Sequence, residues 1–476
     1  MELSLRQIGE VLEARVPGDE SRVARGYSID SRTIQAGELF FAVQGARLDG
    51  HEFVLDALGR GAVAAVVAES RLGSYAARVR EQLIGVRETL VAFQRLAQAV
   101  RERWGRPVVA VTGSTGKTTT KEIVAALLGT RYRVAKSEGN LNNAYGLPLS
   151  LLRLDAAHDL AVVELGMSQP GEVARLAEIA RPNVGVVTCV APVHLEFFPS
   201  VEEIAAAKYE LIGALKRDNS TAVLNADDPR VACFAEGFSG RVIRFGIEHK
   251  ADVRASSIQE RGALGSGFDL DTFGASGRIE LTLMGRHNVR NALAAVAAAA
   301  PFEVGLEAAQ SVLPKLAPAP MRGELVRFAA GFTVINDCYN SNPVALESMI
   351  ETLARTPGYH RRILVAGEMR ELGPTSRELH RRCGERAAQA GIEIVIGVQG
   401  DASEIVAGAE AAGLETDRAH FFAEKALAAQ FLAGLVASGD LVLLKGSRAV
   451  ALETMLETLR ARYQLVSGEH YAQARH

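Results

Sequence analysis

Along most of the chain, short apolar runs rich in Val, Ala and Ile alternate with longer stretches whose apolar residues recur every three or four positions. The short runs read as strands buried on both faces, the longer ones as amphipathic helices. From about residue 86 the order is regular. "PVVAVTG" predicts a strand and a helix starts at Lys117; "DLAVVELG" is a strand and "GEVARLAEIAR" a helix. "NVGVVTCV" then leads into "SVEEIAAAKYELIGAL", and "TAVLNADD" is a further strand. Such alternation predicts a parallel sheet covered on both sides. A more β-like stretch spans about 240–285, and "NALAAVAAAA" follows as a buried Ala-rich helix. The Pro-rich "LPKLAPAPMRGE", 313–324, reads as a linker. Beyond it "FTVIND", "RRILVAGEM", "EIVIGV" and "DLVLLKGS" predict a second doubly wound domain, with "TSRE" (Thr375 to Glu378) as a capping box opening one helix. Residues 1–85 form a smaller α/β unit, with strands around Leu39–Val43 and in "AVAAVVAE" and a Gly/Asp turn in "RLDGHEF". The expectation is an α/β protein of three domains, 1–85, 86–314 and 315–476.

Composition adds exclusions. The 476 residues are 48% hydrophobic and 23% charged, as expected of a soluble protein. The net charge of −3 gives no electrostatic case for a nucleic-acid partner. Cys189, Cys233, Cys338 and Cys383 form no C-x-x-C pair, which fits a reducing cytoplasm and argues against a disulfide framework or zinc site. The N-terminus lacks the apolar core of a signal peptide, and the most apolar run is too short for membrane insertion. Basic charge is mostly Arg, and no Lys precedes position 101. Lys117, Lys121, Lys208 and Lys445 therefore stand out.

Candidate chemistry begins at "VVAVTGSTGKTTTKE", Val108 to Glu122. Strand, glycine turn and helix start make an anion site from bare N–H groups. The usual phosphate-loop spacing G-x-x-x-x-G-K-[ST] would put glycine at 111, where Val111 stands. The stretch is a variant, with Gly113, Ser114, Thr115 and Gly116 cradling phosphates, Lys117 on the terminal phosphates, and Thr118 and Thr119 at the helix start. Nucleotide binding follows; the reaction does not.

Open parallel sheets bind ligands beyond the carboxyl ends of their strands. Glu164 and His194 follow the strands "DLAVV" and "NVGVVTCV", on the same edge as the phosphate loop. Glu164 suits Mg²⁺ through its hard oxygens, or caps a helix; His194 is a site group or a hydrogen-bonded loop residue. Ser200 and Glu203 form a capping box whose helix carries Val201, Ile204, Ala205, Ile212 and Leu215 as an apolar stripe. Lys208 falls on that stripe. It snorkels, pairs with a nearby Glu, or serves the phosphate site. Asn140, Asn142 and Asn143 are turn residues or amide contacts to a polar ligand, and Asn291 sits where a helix cap is expected.

The segments "VTGSTGKTTTKE", "EGNLNNAYGLP", "VELGMS", "HLEFF", "AAAKYELI", "NADDP", "GRHNVRNALAA", "NDCYNSNP", "GEMRELG" and "LLKGSRAVALE", in that order, resemble the Mur ligases of bacterial cell-wall synthesis. "SIDSRTIQAGELFFAVQGARLDGHEF" resembles their first domain, so the likeness spans nearly the whole chain. "YNSNP", "MRELG" and "KGSR" favour the member adding D-Ala-D-Ala over those adding earlier residues or folylpolyglutamate synthetase. The resemblance implies a UDP-sugar domain, an ATP domain and a closing Rossmann-like domain, in a monomer. It implies that the carboxylate of UDP-MurNAc-tripeptide takes the γ-phosphate of ATP, and that the amine of D-Ala-D-Ala then attacks the acyl phosphate. Thr118 and Glu164 are then ligands of a first Mg²⁺ and His194 of a second. Lys208 matches a lysine carbamylated by CO₂, an anionic metal ligand in place of a costly ammonium. Arg322 matches an arginine reaching the γ-phosphate, Asn291 an adenine contact and Asp337 a ribose or hinge-side contact. Ser31 and Arg32 resemble UDP-sugar contacts, with Asn142 and Asn143 on the muramoyl-peptide side. Tyr339, Asn340, Lys445, Ser447 and Arg448 fall where D-Ala-D-Ala and closure contacts are implied. The sequence departs from the family pattern at Asn336 and Glu368, where Asp is common. A phosphate-loop ATPase switch, or a nucleotide-binding module without catalysis, would share the phosphate loop alone.

Overall fold

Beside a two-stranded antiparallel pair, Leu3–Ser4 with Val23–Ala24, the Val-, Ala- and Ile-rich runs form three larger sheets in a computed structural model that describes residues 1–45, 48–215 and 219–466. The first sheet is wholly parallel, in the order Gly26–Ser28, Glu38–Phe41, Ala64–Ala68, Leu83–Val86. Arg47, the first residue of the expected "RLDGHEF" turn, lies outside the described residues. Within the rest of that turn, the Asp49 carboxylate accepts from His51 N–H and caps the 3₁₀ turn Gly50–Phe53.

The second sheet carries the site. Its order is Val134–Lys136, Leu160–Glu164, Val108–Thr112, Val184–Val187, Thr221–Asn225, Arg241–Gly246, Val253–Glu260, Ser266–Thr272, Ala275–Leu281. All pairings are parallel as far as Val253–Glu260, and the last two strands run antiparallel. The chain leaves Val108–Thr112 toward one edge, then returns to build the other side. The topological switch point therefore falls at the end of that strand, where a parallel sheet opens a crevice. Side chains alternate across the sheet. Val108 and Ala110 join one core with the helices Thr89–Trp104, Glu172–Ala180 and Val201–Gly213. Val109 and Val111 join the opposite core with Lys117–Leu128 and the Ala-rich helix Arg286–Ala299. The first core also takes in Phe41 of the N-terminal sheet, packed on Phe93 with ring centroids 5.0 Å apart.

The third sheet has the order Glu324–Arg327, Thr333–Asn336, Asp440–Lys445, Arg361–Gly367, Ile394–Val398, Ala419–Phe422, with only the first strand antiparallel. Two capping expectations need correction. The helix after "TSRE" is Ser376–Gln389, but Thr375 makes no side-chain cap, because its hydroxyl donates to Leu372 O in a preceding 3₁₀ turn. At Ser200 the hydroxyl accepts from Glu203 N–H at 3.2 Å, which is one half of a capping box. Among the described residues no helix is long and apolar enough to cross a membrane.

In this third domain Gly384 and Gly408 bring two helices into backbone contact. A Cβ at Gly384 would lie 1.9 Å from Ile405 O, and one at Gly408 2.1 Å from Arg381 O. Gly384→Ala is therefore expected to lower stability by about 1–3 kcal/mol, read as a lower urea midpoint in chemical denaturation.

Candidate functional site

The phosphate loop joins Val108–Thr112 to the helix Lys117–Leu128. Gly113 and Gly116 both have positive φ, +142° and +81°. A Cβ at Gly113 would meet Thr188 Oγ1 at 1.9 Å, and one at Gly116 would meet Asn291 Oδ1 at 2.2 Å. Only glycine lets the loop fit between the end of the next strand and the Ala-rich helix. The remaining loop residues are tied to the same neighbour strand. Ser114 Oγ donates to Ala191 O and accepts from Ala191 N–H, and Thr115 Oγ1 lies 3.2 Å from Cys189 Sγ. Thr119 is half-buried one place beyond Thr118.

Lys117 Nζ donates to Gly113 O at 2.8 Å, folding back over its own loop. Thr118 Oγ1 donates to Glu164 Oε2 at 2.7 Å and accepts from Arg322 Nη2 at 3.0 Å. The other Glu164 oxygen accepts from Asn142 Nδ2 at 2.7 Å. Arg322 reaches the loop from the end of the linker, stacked over the Tyr339 ring at 4.0 Å. Lys208, 1% exposed on the helix Val201–Gly213, has no carboxylate partner among the described residues. Burial pushes its pKa well below the ordinary lysine value, and repulsion from the Lys117 ammonium adds to the shift. Lys117 is itself lowered by burial and by Arg322, with Glu164 opposing. Cationic groups from three elements thus converge at one strand end, with Glu164 as the nearby carboxylate. This is a site for a polyanion.

Both the chain and its fold have close counterparts. Models of the Mur ligase family catalytic domain, the Mur ligase middle domain and the Mur ligase glutamate ligase domain match residues 24–103, 111–299 and 321–448. The UDP-N-acetylmuramoyl-tripeptide–D-alanyl-D-alanine ligase of Bacillus subtilis is 34% identical over 458 residues, 96% of this chain and 98% of the relative. This chain belongs to the Mur ligase family. Among solved Mur ligases, MurF from Acinetobacter baumannii superposes with a TM-score of 0.87 at 28% identity, over 97% of this chain and 99% of that one. MurF ligase from Thermotoga maritima in complex with ADP superposes at 0.79 with 30% identity, over 92% and 97%.

The other sequence-predicted residues of this Mur ligase fall into three groups. Asp337, Asn340 and Lys445 form one: Lys445 Nζ lies 2.6 Å from Asp337 Oδ2 and donates to Asn340 O at 3.0 Å. Ser447 and Arg448 form a second. Ser447 Oγ accepts from Arg370 N–H at 2.9 Å, and Arg448 pairs with Glu453. Ser31 and Arg32 stand apart in the N-terminal domain. Ser31 is buried, whereas Arg32 is exposed and paired with Asp30 at 2.7 Å. They follow directly on Ser28 and Asp30, which line a cleft of about 620 Å³ with Leu149 and Arg153. Asn140 is exposed, and Asn143 Oδ1 accepts from Tyr145 and Gly146 N–H at a helix start.

Asn291 is not a helix cap. The helix begins at Arg286, and Asn291 is buried inside it, where its side chain accepts from Thr120 and donates to Asn288. The two departures from the Mur ligase pattern have local causes. Asn336 Nδ2 donates to Glu324 Oε2 at 3.2 Å, where an Asp would set a second carboxylate against one already raised by burial. Glu368 reaches Gly400, at which a Cβ would lie 2.0 Å from Glu368 Oε1. Sequence reasoning named Glu371 only as part of "GEMRELG". Its carboxylate accepts from His194 Nδ1 at 2.5 Å, and this bond holds its pKa below the usual glutamate value. Ser137 was missed as well: its carbonyl holds Lys121, and its hydroxyl accepts from Glu164 N–H. A lone Ser after a strand gives no signal for such a role.

His287 bridges the Ala-rich helix and the helix Pro343–Arg355 of the last domain, its Nδ1 2.9 Å from Ser348 Oγ. Burial lowers its pKa to about 4. The unfolded chain, near 6.5, binds a proton that the folded chain refuses. Stability is therefore full above pH 6.5 and is expected to fall between 6.5 and 4, at most about 1.4 kcal/mol per pH unit. Urea unfolding of wild type and His287→Gln across that window should show a shallower slope in the variant.

Proposed function

We propose that this chain joins D-Ala-D-Ala to UDP-MurNAc-tripeptide at the expense of ATP, giving UDP-MurNAc-pentapeptide, ADP and phosphate in the cytoplasm. The observation that carries the reading is the meeting of Lys117, Arg322 and Lys208 around Thr118 and Glu164 in a chain 34% identical to a ligase of that name across nearly its whole length. A carboxylate is a poor acyl donor because its leaving group would be oxide. Attack of that carboxylate on the γ-phosphorus forms an acyl phosphate and releases ADP. Two anions must approach, so the step needs dense positive charge held ready. Lys117 and Arg322 supply it on the phosphates. The amine of D-Ala-D-Ala then adds to the acyl carbon, loses its proton, and the tetrahedral intermediate expels phosphate.

Residues 1–85 take the UDP-sugar end, with Ser31 and Arg32 in contact; residues 86–314 hold ATP; residues 315–476 close over the site as a monomer works. Asn142 faces the muramoyl-peptide side. Tyr339, Asn340, Lys445, Ser447 and Arg448 serve D-Ala-D-Ala and closure, and Asn291 and Asp337 the nucleoside. Thr118 and Glu164 offer hard oxygens 2.7 Å apart, the donor set of Mg²⁺, and His194 would join a second ion. Bound there, Mg²⁺ would neutralise the transferring phosphoryl group. Lys208 suits CO₂: a buried amine with its pKa lowered keeps the free lone pair that attacks CO₂, losing a proton to give a carbamate. The buried cation becomes an anion among cations.

Phosphate release with Mg-ATP is expected only when UDP-MurNAc-tripeptide and D-Ala-D-Ala are both present, with the pentapeptide mass as product. Release from ATP alone would instead mark a switch ATPase. Lys208→Ala is expected to lose activity by roughly a hundredfold or more, and to regain part of it with added short carboxylates. Unchanged turnover in the plain variant would remove Lys208 from the mechanism.

A further inference from the structure

His194 and Glu371 come from different domains. His194 follows the strand Val184–Val187 of the central sheet, and Glu371 follows Arg361–Gly367 of the last one. Both residues have left-handed backbones, with φ of +58° and +65°. That conformation is strained for a non-glycine residue and persists only where the surroundings impose it. The surroundings here are specific. Met369 N–H donates to His380 Nε2 at 2.8 Å, and Arg370 N–H donates to Ser447 Oγ at 2.9 Å. Glu196 N–H, from the central domain, donates to Glu371 O at 3.2 Å. His380 is fixed in turn, its Nδ1 2.7 Å from Ser376 O, while Ser376 Oγ donates to Asp401 Oδ2. A Cβ on Gly373 would lie 2.9 Å from Leu195 O, so the end of this loop lies close against the backbone next to His194. Three successive residues, 369 to 371, are each tied by backbone or side chain.

We infer that Glu371 is a positioning residue: from the last domain its carboxylate accepts a hydrogen bond from His194 Nδ1–H, fixing the ring's orientation and leaving Nε2 as the nitrogen with a free lone pair. A carboxylate on one ring nitrogen sets both the tautomer and the direction of the other. The arrangement makes the central site dependent on the position of the last domain at a second point, distinct from Arg322. His194 is usable in this orientation only while the loop 369–371 is docked. This inference rests on the proposed role of His194 in ligation.

The test compares wild type, Glu371→Ala and Glu371→Gln, full-length, by steady-state kinetics and by ¹⁵N NMR of selectively labelled histidine. Spectra are taken with ADP, without metal ion, at about pH 8, above the ordinary histidine range. In wild type the His194 ring is expected as one tautomer, protonated at Nδ1; in Glu371→Ala it should become a mixture. The Ala variant should lose roughly 10- to 100-fold in kcat, with KM for both substrates within about twofold and an unchanged thermal midpoint. The Gln variant, whose amide oxygen can still accept, should recover most of that loss. An Ala variant with wild-type kcat, or an unchanged tautomer, overturns the inference. If the Ala variant fails to fold, the Gln variant and the wild-type tautomer decide it, and a wild-type ring protonated at Nε2 refutes it. His194→Ala with full ligase activity would instead overturn the role of His194, whatever the ring spectra show.

Discussion

Buried and half-buried cations without enough carboxylate govern this molecule. Lys117, Lys208 and Arg322 approach the same strand end, and the close acid there, Glu164, is shared between the Thr118 hydroxyl and the Asn142 amide. A buried ammonium without a partner costs several kcal/mol, roughly. The fold tolerates the excess because the cations gather at an open strand end, where an anion from outside can offset them. Stability is given up where a polyanion will later restore it, a common trade at sites that stabilise developing charge. Arg322 lessens its own cost by lying on the Tyr339 ring, whose face offsets part of the charge.

The sheet topology explains how the cations meet. The phosphate loop leaves the strand at the switch point, so both neighbouring strands open beside it. One delivers Glu164 and the other Thr188 and Cys189, which clasp the loop. The last domain cannot add a strand to this sheet; it contributes through loops. Arg322 comes from the linker and Glu371 from a turn after its own sheet's fourth strand in space. The site is thus assembled across a domain boundary, spanned by side chains and by the backbone bond from Glu196 N–H to Glu371 O.

Much of this was legible in the sequence because it is local. Strands buried on both faces appear as unbroken Val and Ala runs, and a phosphate loop is contiguous, so Gly113 to Thr118 declared themselves. Lys208 stood out by sitting on an apolar stripe, and burial at 1% bears out that reading of the helix face. What failed was set either by a competing turn or helix start close by, or by a partner distant in sequence. Thr375 matches a capping pattern, yet the preceding 3₁₀ turn takes its hydroxyl. Asn291 lay near a helix start, but Gly285 ends the approach and the helix begins six residues earlier than a cap at 291 requires. Glu371 pairs with a residue 177 positions away, and no periodicity encodes such a meeting.

Glu368 and Gly400 illustrate a different kind of dependence. The longer side chain at 368 occupies the space that a Cβ at 400 would need. With Glu368 in place, a side chain at position 400 must displace that carboxylate from Arg370 and from Asp401 N–H, and a φ of +48° favours glycine there as well. A shorter acid at 368 would remove one of the two obstacles to a side chain at 400, leaving the left-handed backbone as the other. The two positions are coupled in the space of sequences open to this fold, on the same loop that carries Glu371, and the coupling is invisible to any single-site reading.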